Sequence, residues 1–243
     1  VMNNWCDQKK TKFFPLLIFA ASMGFLEAIV VVYLRELYYP DGFKFPLQIF
    51  PQWLMGVEIV REFSTLFMLF ALAWVAGKNF LQRLSVFLFI FGIWDIFYYV
   101  ALKLFLNWPE SLLTWDILFL IPITWLGPVL APVICSTTMI LMTFIFEYFR
   151  LKNNSHKINR SELGLMIAGA TIIFFTFIYD LGKIILKDDY FHSLLNVTKN
   201  ENFIQEFSEY VPVNFLWGIF TAGLLVIFAG IFIYIKRNLY AKY

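Results

Sequence analysis

LLTWDILFLIPITWLG, residues 112–127, decides how many times this chain crosses a bilayer. The run is apolar but sixteen residues long, it carries Asp116, and Pro122 interrupts it. A spanning helix needs about 20 mostly apolar residues. Six other stretches supply them, at roughly 13–38, 57–76, 84–105, 129–149, 163–186 and 215–235. Charge placement decides whether 112–127 is a seventh. With six spans and a cytoplasmic N-terminus, one side receives twelve of the 19 basic residues, including Lys9, Lys10, Lys78, Arg83, Arg150, Arg160, Lys236 and Arg237. Only three of the 17 acids, Asp7, Glu147 and Glu162, fall with them, so that side carries +9 and the rest of the chain −7. A seventh span would put the 150–160 loop opposite the 78–83 loop. The excess of Lys and Arg in cytoplasmic loops therefore selects six spans with both termini inside. It leaves 112–127 as a short re-entrant or interfacial helix, tolerated at membrane depth only where protein or a wet cavity surrounds it.

Composition agrees. The 243 residues are 60% hydrophobic and 15% charged, with 30 Phe and a mean hydropathy of +0.72, against about 25% charged residues in soluble domains. The expected fold is an all-α polytopic bundle, one integral membrane domain over 1–243. The run from Phe13 to Tyr39 follows Lys9, Lys10 and Lys12 as a signal peptide's would, but it is far longer than a cleavable apolar region and contains Glu27, so it reads as a retained first span. Cys6 and Cys135 fall at different depths and make no disulfide framework. The two histidines, His156 and His192, sit in polar connectors, so no span holds a haem b ligand and no cofactor or metal is expected. Asn153-Asn154-Ser155 and Asn196-Val197-Thr198 match glycosylation sequons; the first would be cytoplasmic and the second matters only in a secretory host. The basic residues mark one membrane face and form no aromatic-interleaved patch, which does not suit nucleic acid.

Embedded charge carries the functional signal, because an ionisable group at membrane depth costs at least a few kcal/mol. Glu27 lies near the middle of the first span, with no basic residue three or four positions away. Glu58 and Glu62 share a helix face, with Arg61 beside both. Asp95, Tyr99 and Lys103 rise along the third span, Thr176, Asp180 and Lys183 line one face of the fifth, and Asp116 sits on the short segment. All fall in the middle or outer half of their spans. The candidate ligand or ion pathway is therefore Glu27, Glu58, Arg61, Glu62, Asp95, Tyr99, Lys103, Asp116 and Asp180. Plainer readings stand beside these. Arg35, Glu36, Glu58, Glu110, Lys183 and Lys187 are near enough to an interface to snorkel. Arg61 between two glutamates can be a structural clamp, and Lys103 and Lys183 offer Asp95 and Asp180 partners. Tyr38, Tyr39, Tyr98 and Tyr99 read as interface or packing residues. Gly164, Gly169, Gly218, Gly223 and Gly230 read as close helix-packing positions. The proline- and aromatic-rich loop 40–56 is expected at headgroup level, and a short amphipathic helix around 204–210. Trp-Asp-Ile occurs at 94–96 and again at 115–117, too short an echo to signal duplication.

The stretches GFLEAIVVVYLRELYYP at 24–40, REFSTLFML at 61–69, WDIFYYV from 94 and WPESLLTWDILFLIP ending at 122 resemble a pattern found in small bacterial polytopic inner-membrane proteins. The resemblance covers about the first 135 residues and implies a bacterial inner membrane, but no activity. Three classes of function follow. The first is a protein whose outer carboxylate layer binds or translocates a proton, a cation or a small polar solute. The second is an accessory subunit contacting other membrane chains or its own copies. The third is an enzyme acting on a lipid-like substrate, with paired acids as general acid and base or holding a divalent ion. The enzyme ranks last, since no HExxH or GxSxG motif is present.

Overall fold

A computed structural model describes residues 2–48, 50–153, 157–187, 206 and 209–240. Both sequons, the two histidines and the segment 204–210 lie wholly or partly outside them. Among the described residues six long helices follow one another: α1 (Met2–Tyr38), α2 (Gln52–Ala76), α3 (Phe80–Leu106), α4 (Leu130–Asn153), α5 (Arg160–Lys187) and α6 (Trp217–Tyr240). Each contains a stretch long and apolar enough to cross a membrane. The protein is an integral membrane helix bundle with the six spans that charge placement selects.

Helix ends follow local chemistry. Asn79 caps α3 by accepting from the Gln82 N–H at 3.0 Å. At the other end Asn107 takes a left-handed conformation, φ 51°, and the Lys103 ammonium donates to the Asn107 and Pro109 carbonyls at 3.2 and 3.0 Å, satisfying groups that the helix leaves open. At the start of α5, Glu162 reaches back to accept from the Asn159 N–H at 2.8 Å, half of a capping box.

Successive helices reverse direction. Phe13 meets Phe89 and Phe25 meets Phe105, so α1 and α3 run parallel. Ser136 and Thr143 on α4 pair with Asp95 and with the Ser85 carbonyl on α3, so that pair is antiparallel. The tightest approach joins α5 to α6, where a Cβ at Gly169 would lie 2.5 Å from the Gly223 carbonyl oxygen. Gly223 and Gly230 are close-packed in the same way, whereas Gly164 and Gly218 face open space and are not packing positions. An apolar core of α1, α2 and α3, including Leu16, Leu69, Val86 and Ile90, stands beside a second one of α4, α5 and α6, including Phe146, Phe220 and Tyr234.

The short segment departs from expectation. Instead of a helix, 112–127 supplies most of an antiparallel hairpin, β1 (Trp115–Phe119) paired with β2 (Trp125–Pro128), in register Asp116 with Gly127 and Ile117 with Leu126. Thr114 and Leu112 carbonyls extend the pairing by accepting from Val129 and Leu130 at 3.0 and 2.7 Å. Away from water every such group needs a partner. The Leu120 N–H, beyond the ladder, donates to Glu62 on α2, whose two carboxylate oxygens lie 2.9 and 3.1 Å from it. Trp125 stacks on Phe177, with centroids 5.9 Å apart and planes at 11°, so the hairpin docks on α5.

Candidate functional site

At the end of the bundle away from the 78–83 and 150–160 loops, α1, α2, α3, the hairpin and the last turns of α5 enclose a cavity of about 680 Å³. The loop after α1 closes over it. The Gln48 N–H donates to the Tyr39 hydroxyl at 2.9 Å, and Phe43 packs edge-on to Trp108. Burial raises the pKa of that Tyr39 hydroxyl, although the Gln48 N–H and Arg35 pull it back. Leu47, Phe43 and Phe50 thus form the cavity's outer wall.

Five carboxylates, Glu27, Glu58, Glu62, Asp95 and Asp116, share the wall with two guanidiniums, Arg35 and Arg61. Arg35 is 6% exposed; its Nη2 lies 2.9 Å from Asp116 Oδ1, and its guanidinium lies 3.8 Å from the Trp108 ring centroid and 4.3 Å from that of Phe43. The Tyr99 hydroxyl donates to the second Asp116 oxygen at 3.3 Å. Burial pushes the Asp116 carboxyl above its ordinary range, while Arg35, the Ile117 N–H and the Tyr99 hydroxyl stabilise its charged form. Arg61 bridges two helices: its Nε and Nη2 each lie 2.8 Å from Glu58 Oε2, and its Nη1 pairs with Glu27 on α1. Thr65 also donates to Glu27, at 3.3 Å.

The remaining two acids differ. Asp95 accepts from the Ser136 hydroxyl at 2.7 Å and Glu62 from the Leu120 backbone. Neither forms a salt bridge among the described residues. Asp95 is half-buried and lines the cavity. Trp94, 5% exposed and on the same wall, holds an indole N–H with no hydrogen-bond partner among the described residues. The Tyr98 hydroxyl stands within the electrostatic reach of Asp116, Arg35, Arg61 and Asp95.

Of the nine residues named from sequence, seven line this cavity: Glu27, Glu58, Arg61, Glu62, Asp95, Tyr99 and Asp116. Lys103 does not; it is exposed and caps α3 instead of pairing with Asp95. Asp180 also lies off the wall, hydrogen-bonded to Tyr210, although its neighbours Leu181 and Ile185 reach the cavity. Glu27 finds its cation on another helix. Arg35 and Glu58 are buried rather than snorkelling, whereas Glu36 is exposed. Sequence reasoning gave no place in the site to Arg35, read as an interface residue, to Tyr98, read as interface or packing, or to Trp94. The signal for Arg35 was Asp116 itself, a short acidic side chain with no basic residue nearby on its own segment.

Toward the basic end the cavity stops. No described residue of the 78–83 or 150–160 regions lines it, and there Glu162 on α5 pairs with Arg237 on α6 at 2.6 Å, while Glu147 and Arg150 pair within α4 at 2.7 Å. Among the described residues no three His, Cys, Asp or Glu side chains are grouped to hold a metal ion. The chain matches no family model, no curated protein and no solved structure.

Proposed function

We propose that the protein binds a small cationic solute in this cavity, reached from the membrane side opposite the basic loops. The observation that supports it is the charge imbalance of the wall, where carboxylates outnumber guanidiniums by five to two. Arg35 answers Asp116, and Arg61 answers Glu27 and Glu58. Asp95, and Glu62, which feels Arg61 through space but forms no salt bridge with it among the described residues, remain for a ligand. The charges face an interior space rather than a flank that another chain could cover, which favours a solute over an accessory-subunit role. In the expected setting, a bacterial inner membrane with both termini cytoplasmic, the cavity opens outward and takes its ligand from the periplasmic side.

Binding is tested with the protein in phosphatidylcholine nanodiscs, by titrating ammonium, alkylammonium and alkali cations and following thermal stability. Stabilisation by at least one cation is expected, lost in the Glu62→Gln, Asp95→Asn double variant and kept in Lys103→Gln. Stabilisation unchanged in the double variant, or absent for every cation, refutes the reading.

A further inference from the structure

The cavity is too large and too apolar for a bare ion. About 680 Å³ falls in the range of roughly 300–1,000 Å³ typical of organic-ligand pockets. A hard metal cation would need about six or more oxygens closing around it, and no such group exists among the described residues. The wall instead carries both chemistries: apolar Leu34, Leu47, Phe50, Met55, Ile59 and Ile123, and the carboxylates with Trp94 and Tyr98.

Two further observations narrow the ligand. The unpartnered Trp94 indole N–H, buried on the cavity wall, calls for a hydrogen-bond acceptor; a buried donor left unmade costs about 1–3 kcal/mol. Then there is the partition between cavity and lipid. Among the described residues that partition is on one side α2, whose outward face exposes Val57, Val60 and Phe63 at 51%, 65% and 47%. The fully buried positions on its inward face are Glu58, Glu62 and Thr65, beside half-buried Met55 and Ile59, and fully buried apolar residues start at Leu69 and Ala73. Charged and polar contacts therefore hold this half of α2, and a molecule already dissolved in the outer leaflet is one helix away from the site.

We propose that the ligand is an amphipathic amine. Glu62 and Asp95 take its ammonium, its alkyl chain lies against the apolar wall, and an oxygen close to the ammonium accepts from Trp94. The assignment rests on the cavity being a cation site, and the experiment separates the two claims.

Dissociation constants are measured by isothermal titration on the protein in phosphatidylcholine nanodiscs, with empty nanodiscs as the partitioning control. The probes are 2-aminooctan-1-ol, octylamine, ethanolamine and octanoate. The amino alcohol is expected to bind tightest, at least about thirtyfold tighter than ethanolamine, since each buried methylene adds about a fourfold factor. Octanoate is expected not to bind. Glu62→Gln keeps an acceptor for the Leu120 N–H, so the hairpin stays docked, and it should weaken the amino alcohol about tenfold or more, as should Asp95→Asn. Trp94→Phe should erase the advantage of the amino alcohol over octylamine. Ethanolamine binding as tightly as the octyl amines would overturn the amphiphile while leaving cation binding intact. Octanoate binding as well as octylamine would overturn it too, and an absence of binding by all three amines would remove both claims.

Discussion

Replacing Arg61 by Met should make a second, normally harmful substitution beneficial. Among the described residues Arg61 is the one cation paired with both Glu27 on α1 and Glu58 on its own helix, with side-chain exposures of 20%, 13% and 6% respectively. Removing it leaves two buried carboxylates without a counter-charge. Breaking a buried pair costs about 3–5 kcal/mol; the adjoining cavity admits some hydration, which places the expected loss near the lower figure. Glu27→Gln alone should cost about 1 kcal/mol or less, because Arg61 keeps Glu58 and the amide still accepts from Thr65. On the Arg61→Met background the same change removes one of the two stranded charges, so Glu27→Gln should restore about 1–2 kcal/mol. A double-mutant cycle measured by reversible unfolding in bicelles or mixed micelles reads both signs. Additivity, with Glu27→Gln destabilising both backgrounds equally, would show that the two side chains do not share a charge balance and would refute the clamp.

Asp116→Leu should cost about 3–5 kcal/mol by stranding Arg35, which is 6% exposed and stacked on Trp108, and Arg35→Met, Asp116→Leu together should recover much of that loss in the same unfolding assay. Gly169→Ala should destabilise by about 1–3 kcal/mol, because its Cβ would stand 2.5 Å from the Gly223 carbonyl oxygen, whereas Gly164→Ala, facing open space, should be neutral or stabilising. Single cysteines at Gln48 and Lys78 should label from opposite membrane faces with an impermeant maleimide, and in bacterial cells Gln48→Cys is expected to be the one labelled from outside; the reverse result would invert the proposed orientation.

The helices were legible because a spanning segment must be both long and apolar, and both properties can be counted along the chain. The hairpin was not. A short apolar run carries no period that separates strand from helix, and here the arrangement is fixed by groups far away in sequence: Glu62 at the Leu120 N–H, Phe177 under Trp125 and Arg35 on Asp116. The site was half legible for a related reason. Neighbours within a helix can be read from spacing of three or four, which links Glu58 to Arg61, but the spacing gave Asp95 the wrong partner in Lys103. Helix-to-helix pairs such as Glu27 with Arg61 and Asp95 with Ser136 depend on how α1, α2, α3 and α4 come together. Arg35 looked like an interface residue because it stands near the end of α1, and only the loop folded over it and the hairpin beneath it make that end an interior.

The distinction between a structural salt-bridge network and a ligand site turns on which charges are answered. A bundle that used ionic contacts only to hold its helices would gain nothing from unmatched carboxylates, since each isolated buried charge opposes folding. Asp116 with Arg35 fits the structural account: both are deeply buried, each is held by further contacts, and together they join α1 to the hairpin. Arg61 with Glu27 and Glu58 also fits, as the fastening between α1 and α2. Glu62 and Asp95 do not. Their hydrogen-bond partners, a backbone N–H and a serine hydroxyl, hold the carboxylates in place, and Arg61 acts on Glu62 only through space, without a salt bridge. Ligand binding therefore predicts different responses for the two groups. Neutralising Glu62 or Asp95 should leave the apo protein as stable as before or more so, and should lower affinity, while neutralising Asp116 or Arg61 should lower stability first. If Glu62→Gln and Asp95→Asn instead destabilise the apo protein as much as Arg61→Met does, the five carboxylates form a single structural network and the cavity loses its claim on a cation.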